Sequence, residues 1–148
     1  MYKRILIATD GSDLARKGLE HGLALAKALG AKVAVVTISE PVLAGYEDAL
    51  GWGGVYAMQA EYSKAQEESA ERVLKGALSA AEAAGVAATA VHLKDRQAAE
   101  GILEVARVQE SDLIVMASHG RRGLGRLLLG SQANEVLIRS KVPVLVVR

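Results

Sequence analysis

The chain has no cysteine and no phenylalanine among its 148 residues, and only one tryptophan, four tyrosines and two prolines. Without cysteine there is no disulfide, no thiolate nucleophile and no zinc–cysteine cluster, a composition that suits a reducing compartment and points to a cytoplasmic address. The scarcity of aromatics removes the platforms on which single-stranded nucleic acid usually stacks. With 18 Lys+Arg against 17 Asp+Glu, a net charge of +1 offers no broad field to draw a polyanion, so no nucleic-acid partner is expected. No apolar run approaches membrane-spanning length, and Met1 to Arg4 pass straight into a short apolar segment, so neither a membrane segment nor a secretory leader is expected. The length suits one domain over residues 1–148 with an aliphatic core.

Short apolar runs alternate with longer amphipathic ones, the pattern of consecutive βαβ units and hence of an α/β fold with helices on both faces of a parallel sheet. Ile5-Leu6-Ile7-Ala8 reads as a strand buried on both faces, and Thr9 to Ser12 supply turn and cap residues. Ala15, Leu19, Leu23, Ala26 and Leu29 recur at helical spacing, with Gly30 where a left-handed cap is needed. Val33–Ile38 is a second strand. Ser39 to Met58, with Pro41, Gly45, Gly51, Gly53 and Gly54, reads as a long functional loop whose Tyr46, Trp52 and Tyr56 are placed to close over a ligand or to pack.

A helix from about Gln59 to Ala84 follows, ended by Gly85. Val86–Leu93 is more polar and suits a sheet edge, and a third helix runs through Ile102, Leu103 and Ala106. Asp112–Met116 is a buried strand. A helix from Ser131 to Arg139 then leads into Val144–Val147, the fifth strand. Pro143 cannot donate a ladder hydrogen bond, which puts the last strand at an edge. That edge is strongly apolar, so a homodimer through Val142–Val147 is expected.

Between the fourth strand and the last helix lies Ala117-Ser118-His119-Gly120-Arg121-Arg122-Gly123-Leu124-Gly125-Arg126-Leu127-Leu128-Leu129-Gly130-Ser131. Glycines let backbone N–H groups approach an anion, and a helix start adds unpaired N–H groups and the positive end of a dipole; phosphate is the natural guest. In open parallel sheets ligands sit beyond the carboxyl ends of strands, where both this loop and Thr9-Asp10-Gly11-Ser12 stand. Gly125 and Gly130 have P-loop spacing, but Ser131 occupies the place of the lysine. Gly123-Leu124-Gly125 opens a dinucleotide fingerprint, but Leu128 replaces its third glycine.

From Ile5-Leu6-Ile7-Ala8-Thr9-Asp10-Gly11-Ser12 to Pro143-Val144-Leu145-Val146-Val147, the chain resembles the universal stress protein family. Its ATP-binding members carry glycine, two residues, glycine, nine residues, then glycine and serine or threonine. Gly120, Arg121 to Leu129, Gly130 and Ser131 match, while Ala117 replaces the first glycine. The resemblance implies a three-layer doubly wound sheet of five parallel strands in the order 3-2-1-4-5, of the adenine nucleotide alpha hydrolase-like type. It also implies a dimer through the last strand and ATP, with magnesium at the phosphates, as ligand. Asp10 would lie at ribose and phosphate and the Ile38 backbone at the adenine edge. Ala117 and Gly120 would flank ribose and phosphate, and Gly130, Ser131 and Gln132 would offer N–H groups and the Ser131 hydroxyl. The nucleotide-binding set is completed by the strand-end residues Ala8, Thr9 and Met116 and by Arg121; Arg122 and Arg126 are further arginines of the loop.

Blander roles stand beside these. Asp10 is also a favoured turn and cap residue, and Ser12 and Asp13 read as helix caps. Ser118-His119 lacks a nucleophile-elbow sequence, and His21 and His92 are too scattered for a metal site. No residue is nominated as catalytic. A dimeric, ATP-binding regulatory protein is the leading expectation; a slow ATPase, or a dimeric module without nucleotide, are the alternatives.

Overall fold

In the computed structural model, residues 1–41, 47–121 and 128–148 are described, with side chains of 47–52 and 55 outside the description. The continuous apolar runs become central strands. β1 (Arg4–Ala8) is buried from Ile5 onward and pairs in parallel with β2 (Lys32–Ser39) and with β4 (Leu113–Ala117). β3 (Ala88–Lys94) lies beside β2 and β5 (Val144–Val147) beside β4, giving a five-stranded sheet ordered β3-β2-β1-β4-β5. The expected fold class and strand order are both observed.

Alternation along the strands sends successive side chains to opposite faces and so into two cores. Ile5, Ile7, Val33, Val35 and Val115 meet Leu19, Leu23 and Ala26 of α1 (Asp13–Leu29) and Leu74, Ala77 and Ala81 of α2 (Glu47–Ala84). Leu6, Ala8, Val36, Ile114 and Met116 meet Ala99, Ile102 and Val105 of α3 (Ala98–Val108) and Ala133 and Val136 of α4 (Ser131–Arg139). At the amino end of the sheet, Asp112 accepts the backbone N–H groups of Lys3 at 2.8 Å and Arg4 at 3.1 Å, fixing β1 against β4.

The helix boundaries follow their caps. Ser12 accepts the N–H of Ala15 at 3.2 Å, and Gly30 takes the left-handed conformation at φ 63°. Both match the sequence expectation. α2 does not. It begins at Glu47, so Gly51, Gly53 and Gly54, read as loop residues, are helical. A glycine costs a helix only about 1 kcal/mol, and Glu47 to Leu50 and Val55 to Ala60 carry the turns on either side of these three. Residues 42–46, Tyr46 among them, and the side chain of Trp52 lie outside the description. Among the described residues, no helix is long and apolar enough to cross a membrane.

Candidate functional site

The carboxyl ends of β1, β2 and β4 open into a cavity of about 730 Å³, walled by α2 on one side and by α3 and α4 on the other. All eleven residues nominated from sequence line it: Ala8, Thr9, Asp10, Ile38, Met116, Ala117, Gly120, Arg121, Gly130, Ser131 and Gln132. Sheet topology brings them together, because β1 is flanked by β2 and β4 and the chain turns off the sheet at each of these strand ends. Arg122 and Arg126 lie outside the described residues.

Asp10 ties the two turns into one unit. Its Oδ1 accepts the N–H of Ser12 at 2.9 Å, closing the turn after β1, while its Oδ2 accepts the N–H of Arg121 at 2.7 Å. The turn role weighed for Asp10 is therefore observed, and its second oxygen fastens the start of the glycine loop. The glycine at 120 belongs to this contact, since a Cβ there would stand 2.8 Å from Asp10 Oδ2.

The far end of the loop is built the same way. Gly130 donates its N–H to the Ser118 carbonyl at 2.9 Å, and a Cβ on Gly130 would lie 2.9 Å from that oxygen. The Gly130 N–H, expected from the resemblance to face a ligand, thus closes the loop on itself. Gly130 is also the N-cap of α4 and has no side chain to offer its first turn. The first intrahelical bond is that of Asn134 N–H to the Gly130 carbonyl at 2.9 Å. The N–H groups of Ser131, Gln132 and Ala133 therefore lie ahead of the helix's own ladder, and all three residues line the cavity.

Ala117 occupies the position of the missing glycine without strain. It is the last residue of β4, paired in register with Val147, in extended backbone that any residue adopts. Gln132 has a part the sequence did not show: its side-chain oxygen accepts the N–H of Ala99 at 2.8 Å. The α3 N-cap, Gln97, makes no capping bond of its own, and a side chain from α4 satisfies the Ala99 N–H in its first turn instead.

Sequence reasoning missed the α2 wall. Tyr62, Gln66, Ser69 and Val73 line the cavity, and Gln66 Nε2 donates to the Glu40 carbonyl at 2.8 Å, fastening α2 to the end of β2. The helical period marks these positions as one face but says nothing of the strand end it overhangs. Tyr56, expected either to close over a ligand or to pack, is exposed and does not line the cavity. At the β2 end, Ser39 Oγ lies 2.7 Å from His92 Nε2. Burial, followed by the nearby Lys94 ammonium, pushes the His92 imidazole below its usual pKa, and Glu67 and Glu71 oppose the shift. His21 is exposed on α1 against the Lys17 carbonyl. Ser118 Oγ and His119 Nδ1 are 3.1 Å apart at the loop's start. Among the described residues, no group of three or more His, Asp or Glu side chains is arranged to hold a metal ion.

A doubly wound parallel sheet with a cavity over its switch point and a helix start at one end defines a class of small-ligand-binding α/β proteins. Within that class, the chain belongs to the universal stress protein family, whose model matches residues 1–148. It is 36% identical over 148 residues to a universal stress protein of Thermus aquaticus, covering 100% of both chains. The solved structure of the Methanocaldococcus jannaschii protein MJ0577 superimposes with a TM-score of 0.81 at 28% identity, covering 99% of this chain and 96% of that one. A universal stress protein of Archaeoglobus fulgidus, solved in complex with dAMP, shares the fold at TM-score 0.68 and 21% identity, covering 99% of this chain and 98% of that one.

Proposed function

We propose that the chain binds an adenine nucleotide, ATP, in this cavity and works as a dimeric regulatory protein of the cytoplasm rather than as a dedicated enzyme. The observation that carries the reading is the cavity's division into two unlike ends. At one end the first turn of α4, capped by a glycine without a side chain, presents N–H groups and the Ser131 hydroxyl to an anion. At the other, Val36, Ile38 and Ile102 line the cavity with apolar side chains that suit a planar base. Two strand spacings, about 10 Å, separate the β4 and β2 ends, the reach of a nucleoside carrying phosphates. A cavity of about 730 Å³ is in the range of small-ligand sites. The dAMP held by the Archaeoglobus fulgidus protein of the same fold is in keeping with this reading.

In this arrangement Ala8, Thr9, Met116 and Ala117 form the floor between the two ends. Asp10 and Gly120 stand at the ribose and phosphate side, the Ile38 backbone meets the adenine edge, and Gly130, Ser131, Gln132 and Arg121 surround the phosphates. Magnesium would be held chiefly by phosphate oxygens with the Ser131 hydroxyl, because both Asp10 oxygens already accept backbone N–H groups. The dimer would form through Val142–Val147, where Leu145 is 38% exposed and Ile138 of the neighbouring helix is 75% exposed. Light scattering should return twice the chain mass at micromolar concentration.

Calorimetric titration with ATP, AMP and GTP, with and without magnesium, tests the reading. Binding of ATP that is recovered intact supports it. Phosphate release that disappears in Asp10→Ala would instead make the chain a slow ATPase. No heat and no thermal stabilisation with any nucleotide would leave a dimeric interaction module.

A further inference from the structure

Gly101 is buried in the first turn of α3, with its N–H given to the Gln97 carbonyl at 2.9 Å. It does not line the cavity, but Ala98, one turn earlier, and Ile102, the next residue, do. A glycine weakens a helix interior, and here the room it leaves is filled from the sheet. A Cβ at position 101 would stand 2.7 Å from Ile38 Cδ1, 3.1 Å from Cγ2 and 3.2 Å from Cγ1. Gly76 of α2, by contrast, faces open space. Ile38 is half-buried, packs with the α3–α4 core and also lines the cavity at the β2 end. One surface of its side chain thus rests on α3, while the residue borders the cavity.

We propose that Gly101 acts through Ile38 as a positioning residue that sets the depth of the cavity's base end, and so lets it take a two-ring base. This rests on the nucleotide reading above, and it concerns the α3 face of the sheet, where Val36, Ile38 and Ile102 pack together. An isoleucine is stiff at χ1, and packed interiors hold little free volume. With a Cβ at position 101, the Ile38 side chain has to leave the α3 surface. Leu93, its register partner on β3, and the α3–α4 core occupy its other sides, and the free volume adjoining it is the cavity. The displaced methyl then takes space from the base. A purine, with two fused rings, reaches farther from its ribose than a pyrimidine does, and so meets that methyl first.

ATP and CTP share their ribose and phosphates, so comparing them cancels effects at the α4 end. Titration calorimetry reads ATP, and displacement of ATP reads CTP. In Gly101→Ala, ATP affinity should fall about tenfold, the scale of one surplus methyl group in a packed site, while CTP affinity changes by no more than about twofold. Alanine favours a helix over glycine, so this variant should fold, with its thermal midpoint within about 4 °C of the unaltered chain. In an Ile38→Val background, which lacks Cδ1, the same change at Gly101 should cost ATP no more than about twofold, whereas a bodily displaced helix would cost it as much as before. Unchanged ATP affinity in Gly101→Ala, an equal fall for ATP and CTP, a loss that persists in the Ile38→Val background, or failure of Gly101→Ala to fold each overturns the role of Gly101. ATP binding by the unaltered chain then leaves the nucleotide reading standing. Absence of ATP binding by the unaltered chain overturns that reading and this inference with it.

Discussion

The two ends of the cavity are built from different material. At the α4 end, beside the Gln132 side chain on Ala99 and the Ser118–His119 pair, the contacts that join the turns are backbone to backbone or backbone to one carboxylate: Gly130 to Ser118, Arg121 to Asp10, Ser12 to Asp10. At the β2 end they are side chains from three separate elements, Ser39 on β2, His92 on β3 and Gln66 on α2. A site made of backbone demands particular residues at fixed spacing and so leaves a motif; it also tolerates little change. A site made of side chains leaves no local pattern and can be retuned one residue at a time.

The comparison is broken most directly at Gly130. Gly130→Val places a Cβ 2.9 Å from the Ser118 carbonyl and crowds the α4 start, so ATP affinity should fall by about a hundredfold or more, with a stability loss of about 1–3 kcal/mol. Calorimetry well below the unfolding midpoint separates the two effects, and unchanged affinity would remove the loop from the site. Asp10→Asn keeps one acceptor but turns an amide N–H₂ toward a backbone N–H at either Ser12 or Arg121. A charge-assisted bond is lost, and affinity should drop about tenfold. Gln66→Ala, which frees α2 from the Glu40 carbonyl, should cost only about threefold, as one neutral hydrogen bond. A loss at Gln66 exceeding that at Gly130 would invert the comparison. Ala117→Gly restores the family's first glycine in a strand that needs no positive φ; affinity should stay within about twofold while thermal unfolding shows a cost of about 0.5–1 kcal/mol. A large gain in affinity would mean that the Ala117 methyl obstructs the ligand.

Legibility followed the same division. The boundaries of α4 and β5 and the cap at Gly30 were readable because each depends on neighbours in sequence, and the sheet order followed from the family resemblance. The start of α2 was misread because three glycines signal a loop locally, whereas each costs a helix only about 1 kcal/mol and the helix runs through them. Gln132 was nominated for its backbone, and its side-chain bond to Ala99, 33 positions away, had no sequence signature. Ser39 and His92 are 53 positions apart and meet only through the β2–β3 register. Their types, a lone serine and an unclustered histidine, carry no pattern until that register is known.

α2 has 38 residues, and so runs about 57 Å at 1.5 Å per residue, while among the described residues its first buried side chain is Ala70. The turns before Tyr62 extend beyond the α2 residues that line the cavity. Rotating the wall by about 10° would carry the Glu47 end, some 22 Å farther along, through about 4 Å. A fluorophore at Tyr56, which is 65% exposed, would read that swing on nucleotide addition, and an unchanged signal would mean that this end of the helix is rigidly held. Mechanical gain of this kind would let a small adjustment around a bound nucleotide be felt at a distance from it.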